Sequence, residues 1–188
     1  MKKYFLYLTL GFSILLSFHV NSQIRTKGAN YLEVSAGIPL LIDDGVFSLK
    51  DGEKTIGLSY AIGTSRGNYH RLNFVYRKEF VKENSLSSNY ENYIFKYSYE
   101  NTLLKGQNHL SYLGLMYGLG LGIENLNNSY NTNLQNSTVY PLATIGLNFE
   151  KFIGSGFGIF IRIDTDATTS AISQKIKANA GFGLKIKL

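Results

Sequence analysis

The sequence predicts an all-β fold: an eight-stranded antiparallel up-and-down outer-membrane β-barrel with short periplasmic turns and longer outer loops. Three observations predict it. Apolar residues recur at every second position along eight stretches, the period of a strand with two unlike faces. The connectors between these stretches alternate short and long, as at the two rims of a barrel. Charges and glycines gather on the face opposite the apolar one, which suits a narrow lumen better than a water-facing wall.

The chain opens on MKKYFLYLTLGFSILLSFHVNSQ, which is read as a signal peptide over residues 1–22. Lys2 and Lys3 form its positive region, Tyr4 to Phe18 its apolar region, and Val20 and Ser22 the cleavage motif. The apolar run is shorter than the ~20 residues that span a bilayer as a helix. Residues 23–188 then form a single exported barrel domain. Removing Lys2 and Lys3 lowers the formal charge from +6 to +4. The remaining bases are scattered, so no direct contact with nucleic acid is expected. The chain has no cysteine, which excludes disulfides, thiol catalysis and a lipobox.

Eight strands follow in order. YLEVSAGI (31–38) sets Leu32, Val34, Ala36 and Ile38 on one face. TIGLSYAIG (55–63) sets out Ile56, Leu58, Tyr60 and Ile62, and YHRLNFVYRKEF (69–80) sets out Leu72, Phe74, Tyr76 and Phe80. NYIFKYSYE (92–100) presents Tyr93, Phe95, Tyr97 and Tyr99, with Ile94 left on the polar side. YLGLMYGLGLGI (112–123) alternates leucines with glycines. VYPLATIGLNFE (139–150), FGIFIRIDTD (157–166) and the closing stretch 176–188 complete the set. The short connectors are 64–68, 104–108 and 151–156; the long ones are 39–54, 81–91, 124–137 and 167–175.

Alternation alone leaves open which face points inward; a soluble lipocalin-like barrel would turn the apolar face in. Three features favour lipid outside. The apolar face carries almost no charge, His70 and Lys78 near strand ends excepted. It is rich in tyrosine, as an interfacial girdle requires. The other face is glycine-rich and carries both signs of charge. Its expected lumen charges are Glu33, Arg71, Arg77, Glu79, Lys96, Glu100, Glu150, Arg162, Asp164, Asp166 and Lys185, with Lys177 and Lys187 in the same phase. In lipid the sheet must close, so 176–188 must pair with 31–38. The last strand, AGFGLKIKL (180–188), is then both the seam and the C-terminal signal for the barrel-assembly machinery, through Phe182, Leu184, Ile186 and Leu188.

No motif argues for catalysis. GLGLG (118–122) and GSGFG (154–158) fit no phosphate-binding loop and open no helix. Asp164 and Asp166 share one strand face; a salt-bridge network with Arg162 and nearby lysines accounts for them better than a metal or an acid–base pair. His109 and Ser111 could in principle serve as base and nucleophile, but they fall at the short-turn rim. No cofactor, metal or small-molecule substrate is expected.

With strands and turns placed, the chain resembles the TraO family of conjugal transfer proteins from conjugative transposons. YLEVSAG (31–37) resembles that family's opening strand. RGNYHRLNFVYRKEF (66–80) resembles its Gly-Asn-Tyr turn and aromatic strand, and AGFGLKIKL its Ala-Gly-x-Gly-Leu ending. The final Leu188 departs from the aromatic more usual there. The resemblance implies a non-enzymatic outer-membrane component of a mating apparatus, with other conjugation proteins, lipid and the assembly machinery as partners. The alternative is a generic small barrel of the adhesion or membrane-integrity type, working through loops 39–54 and 124–137. In either case a filled eight-stranded lumen is too narrow to pass DNA.

Overall fold

A computed structural model describes residues 25–43, 46–48, 53–83, 86–107, 109–128, 137–169 and 176–188. The signal peptide expected over residues 1–22 lies outside them. Nine strands occur in chain order. They are β1 (Asn30–Asp43), β2 (Val46–Ser48), β3 (Lys54–Gly63), β4 (Tyr69–Glu83), β5 (Leu86–Lys105), β6 (Ser111–Asn128), β7 (Ser137–Phe152), β8 (Phe157–Thr168) and β9 (Ile176–Lys187). Eight of them, all but β2, pair antiparallel with their chain neighbours, and β1 pairs with β9 to close the barrel. The seam runs over ten residue pairs, from Tyr31 opposite Lys187 to Leu40 opposite Ala178. No backbone edge is therefore left within the wall, the condition for crossing lipid with strands.

Alternation decides the two faces. Along β3, every second residue from Thr55 to Ala61 is buried, while Ile56, Leu58 and Ile62 are exposed. Along β6, Leu119 is 70 % exposed beside the inward Met116 and Gly122. Leu113 to Ile123 form the outer row of β6; at ~3.4 Å per residue and a tilt of about 40°, that row stands about 26 Å tall. Such a belt matches the hydrocarbon thickness that outer-membrane barrels cover. Tyrosines border it. Tyr76 and Tyr93 sit 5.4 Å apart toward the long-connector rim. Near the short-turn rim His70 contacts Tyr97 and Tyr99, and Tyr99 contacts Tyr117. Asn68 and Asn101 donate to the Tyr99 and Tyr117 hydroxyls at 3.0 and 3.1 Å, the wet end that an interfacial tyrosine needs.

The strands run further than the apolar period indicates. β4 and β5 stay paired as far as Glu83 opposite Leu86, so most of the expected loop 81–91 is hairpin. β6 continues to Asn128, and residues 129–136 of the expected loop 124–137 lie outside the described residues. β1 extends to Asp43 and folds back onto β2, within the expected loop 39–54. β8 reaches Thr168, and residues 170–175 are not described. The physical reason is common to all four. Above the belt neither face meets lipid, so the hydrophobic alternation stops while backbone pairing continues. At the other rim the turns are tight: Arg66 and Gly67 turn β3 into β4 with φ of 75° and 77°, and Gly154 turns β7 into β8 with φ of 87°.

Candidate functional site: a plugged lumen beneath surface hairpins

The lumen is filled, and its contents fall into layers. At the short-turn end lies an aromatic floor of Tyr31, Tyr69, Tyr112 and Phe152, packed with Ala29, Ala61 and Leu110. Onto it folds Arg25, from the segment preceding β1. Its guanidinium sits 4.4 Å from the Tyr69 ring centre and 4.3 Å from that of Tyr112. It pairs with Glu100 at 2.7 Å and with Glu150. It also donates to the Gly67 carbonyl at 3.0 Å and to the Thr102 hydroxyl at 2.8 Å. Burial works against the Arg25 charge, but Glu150 and Glu100 outweigh it, raising its pKa above the ordinary arginine value.

Above the floor one connected ion network joins four cations and three carboxylates. Arg71 bridges Glu33 and Glu100, each at 2.9 Å. Lys185 bridges Glu33 at 3.1 Å and Glu150 at 2.8 Å, and Arg162 pairs with Glu33 at 2.7 Å. A neutral belt follows, in which the Ser59 hydroxyl donates to Asn73 at 2.9 Å and Asn73 donates to Ser98 at 3.1 Å. The upper network begins with Lys96, which donates to Asp164 and Asp166 at 2.9 Å each. Arg77 pairs with Asp166 at 3.2 Å and lies 3.7 Å from Glu79. Lys177 pairs with Glu124 at 2.7 Å and with Glu79 at 3.5 Å. An apolar patch of Ile94, Tyr140 and Leu142 packs beside it.

Glycines on this face make the room. A Cβ at Gly114 would stand 2.4 Å from the Glu100 carboxylate, and one at Gly122 would stand 2.3 Å from the Tyr140 ring. Large lumen side chains are thus seated over the bare backbone of the adjacent strand. A cavity of about 20 Å³ lies in the neutral belt, lined among others by Thr55, Arg162, Asp164 and Asn179.

Each sequence-derived lumen charge is buried, and the eleven divide between the two networks. Glu33, Arg71, Glu100, Glu150, Arg162 and Lys185 occupy the lower one; Arg77, Glu79, Lys96, Asp164 and Asp166 the upper. One placement differs from expectation. Arg162 pairs with Glu33 rather than with Asp164 and Asp166, which take Lys96 and Arg77 instead. Lys187 is exposed at the rim while Lys185 is buried. Arg25 was not singled out by the sequence, because it stands before the first strand, where no period applies. Glu124 was missed because it reads as loop; it is the last lumen-facing charge of the long β6.

Phe182, Leu184, Ile186 and Leu188 line the outer face of β9, Phe182 at 68 % and Leu188 at 69 % exposure. His109 is exposed in the turn before β6, with φ of 54°, and its carbonyl accepts from the Tyr112 hydroxyl at 2.7 Å. Among the described residues no group of three or more His, Asp or Glu is arranged to hold a metal ion. Nor is any described helix long and apolar enough to cross a membrane, which says nothing about strands.

Opposite the floor, the wall rises past the belt. From Lys78 opposite Glu91 to Glu83 opposite Leu86, β4 and β5 form six further residue pairs, about 17 Å of ladder beyond the belt. β6 flanks this hairpin as far as Asn128 opposite Ser88. The shorter β1–β2 hairpin stands elsewhere on the same rim, three residue pairs deep.

No family model and no curated protein matches the chain. Solved structures do. The crystal structure of Ail, the attachment invasion locus protein of Yersinia pestis, superposes with a TM-score of 0.57 at 12 % identity, over 87 % of this chain and all of Ail. Neisserial surface protein A gives a TM-score of 0.61 at 8 % identity, over 86 % of this chain and 98 % of that one. Ail in a phospholipid bilayer nanodisc gives 0.52 at 12 % identity, over 86 % of this chain and all of Ail. At such identities the likeness carries the fold and nothing finer: the chain is a closed eight-stranded antiparallel barrel of the outer-membrane kind.

Proposed function

We propose that this protein is a non-enzymatic outer-membrane barrel, exported by a cleaved signal peptide, that acts through its surface hairpins as an adhesion or membrane-integrity protein. The carrying observation is the contrast between the filled lumen and the projecting β4–β5 ladder. A lumen crossed by two salt-bridge networks leaves no route for a solute, whereas a paired hairpin standing above lipid offers a surface to a partner. The similarity to Ail, described as an attachment invasion locus protein, agrees with this reading.

The outer stretches carry no net charge that selects the sign of a partner. The four stretches 39–54, 78–91, 124–137 and 167–175 hold five lysines, no arginine and eight carboxylates, and three of those carboxylates, Glu53, Glu79 and Glu124, are buried. Shortening the hairpin by replacing residues 79–90 with a two-residue turn should abolish surface attachment while the barrel keeps its normal outer-membrane level. Undiminished attachment by that variant would sink the proposal.

The conjugation role rests on the sequence resemblance alone. It makes a separate demand: deleting the gene should lower transfer frequency of a co-resident conjugative element and leave growth unchanged. Transfer at the parental frequency would remove it.

A further inference from the structure

The short-turn rim carries a ring of cations with no acidic side chain among them. Lys27 precedes β1, Arg66 sits in the β3–β4 turn, Lys105 ends β5, Lys151 lies at the end of β7 and Lys187 ends β9. Lys27, Arg66, Lys105 and Lys187 are exposed and Lys151 is half-buried. Every short connection, and the β1–β9 seam, thus contributes at least one. No Asp or Glu occurs in 25–32, 63–70, 101–111, 151–158 or 180–188. The nearest carboxylates along the chain, Glu33, Glu100 and Glu150, face the lumen and are taken by Arg25, Arg71, Arg162 and Lys185. The opposite rim lacks this bias: its stretches hold five lysines and, besides the buried Glu53, Glu79 and Glu124, five carboxylates.

We infer that this ring binds the anionic headgroups of the membrane leaflet that the short turns face. Two observations favour a lipid surface over a single docked protein. The cations are spread around the whole circumference, where a leaflet surrounds the barrel and a docked protein would not. They also sit at the strand ends and turns of the rim near which the His70–Tyr97–Tyr99–Tyr117 cluster, with its hydrogen-bonded hydroxyls, marks the edge of the apolar belt. A long cationic side chain at that level reaches the phosphate layer with its stem still on apolar surface, and an anionic surface attracts it. The five positions would hold the barrel at a fixed depth and bias its lipid shell toward negative charge.

The inference rests on the membrane reading but not on the hairpin function. The full mature chain is refolded into nanodiscs of equimolar phosphatidylglycerol and phosphatidylcholine, and the lipids it retains on release are counted by mass spectrometry. The expected result is several-fold enrichment of phosphatidylglycerol. Combining Arg66→Gln, Lys105→Gln, Lys151→Gln and Lys187→Gln should bring the ratio near one, while Lys50→Gln, Lys54→Gln, Lys78→Gln and Lys82→Gln together should leave it enriched. Equal retention of the two lipids by the unaltered protein overturns the inference, even if the rim variant fails to fold. So does a preference that disappears only in the long-loop variant. A chain that does not enter the nanodisc at all would instead refute the membrane reading itself.

Discussion

Arg25 is the residue on which the floor of the barrel depends. Its side chain is fully buried and holds two carboxylates from strands on different parts of the wall. Arg25→Met keeps much of the stem's packing but strips Glu100 and Glu150 of a shared counter-charge. Breaking a buried pair from one side costs about 3–5 kcal/mol; because Arg71 and Lys185 also serve these carboxylates, the loss should lie at the low end. Urea unfolding in detergent should show a clearly lowered midpoint for Arg25→Met, and an unshifted midpoint would contradict the assigned role. In the neutral belt, Thr55 Oγ1, Arg162 Nε, Asp164 Oδ1 and Asn179 Oδ1 are buried without a protein partner, and all four residues line the 20 Å³ cavity. One water has two protons to give and two lone pairs to offer, which matches two acceptors and two donors, and the space suffices for one. A crystal structure at high resolution should therefore show an ordered water there. A dry cavity would mean that the surrounding side chains adopt other rotamers.

At the scale of the strand, the glycine face is a packing device. Gly122→Ala places a methyl against the Tyr140 ring, an overpacking that costs about 1–3 kcal/mol. Adding Tyr140→Leu should recover part of that loss, so a double-mutant cycle should give a clearly non-additive result; additive losses would mean that the two do not touch. On the outer face, Phe182→Lys puts a charge on the exposed row of the closing strand, worth about 2–4 kcal/mol at the bilayer midplane. Outer-membrane levels should fall for that variant and stay normal for Phe182→Leu. These faces were legible in the sequence because a two-residue period sorts every strand side chain to one side or the other: Ile94 and Phe160, apolar residues in the polar phase, are inside. Strand ends were not legible. Residues 81–91 lose the period above the belt, yet their backbone remains paired. Nor could the period say which charges pair. Arg162 and Asp164 are two residues apart on β8, but Arg162 reaches over β9 to Glu33 on β1 while Asp164 takes Lys96 on β5. Barrel shear decides that, and it appears only once β1 is registered against β9.

The whole molecule is an inversion of a soluble protein: ion pairs in the middle, leucines and phenylalanines outside. Such a surface is stable only in lipid, since exposed apolar patches of this extent otherwise aggregate. The same inversion separates two tasks. The lumen networks hold the wall rigid, and the hairpins and rims meet the surroundings. Arg25 shows how far the division extends, since a residue from outside the strands completes the floor. The absence of tryptophan makes the central claim directly testable. Leu119→Trp places a lone fluorophore on the exposed row of β6. In vesicles containing brominated phospholipid its emission should be strongly quenched, while aqueous acrylamide should have little effect. Efficient quenching by acrylamide with none from the brominated lipid would put Leu119 in water and contradict the account.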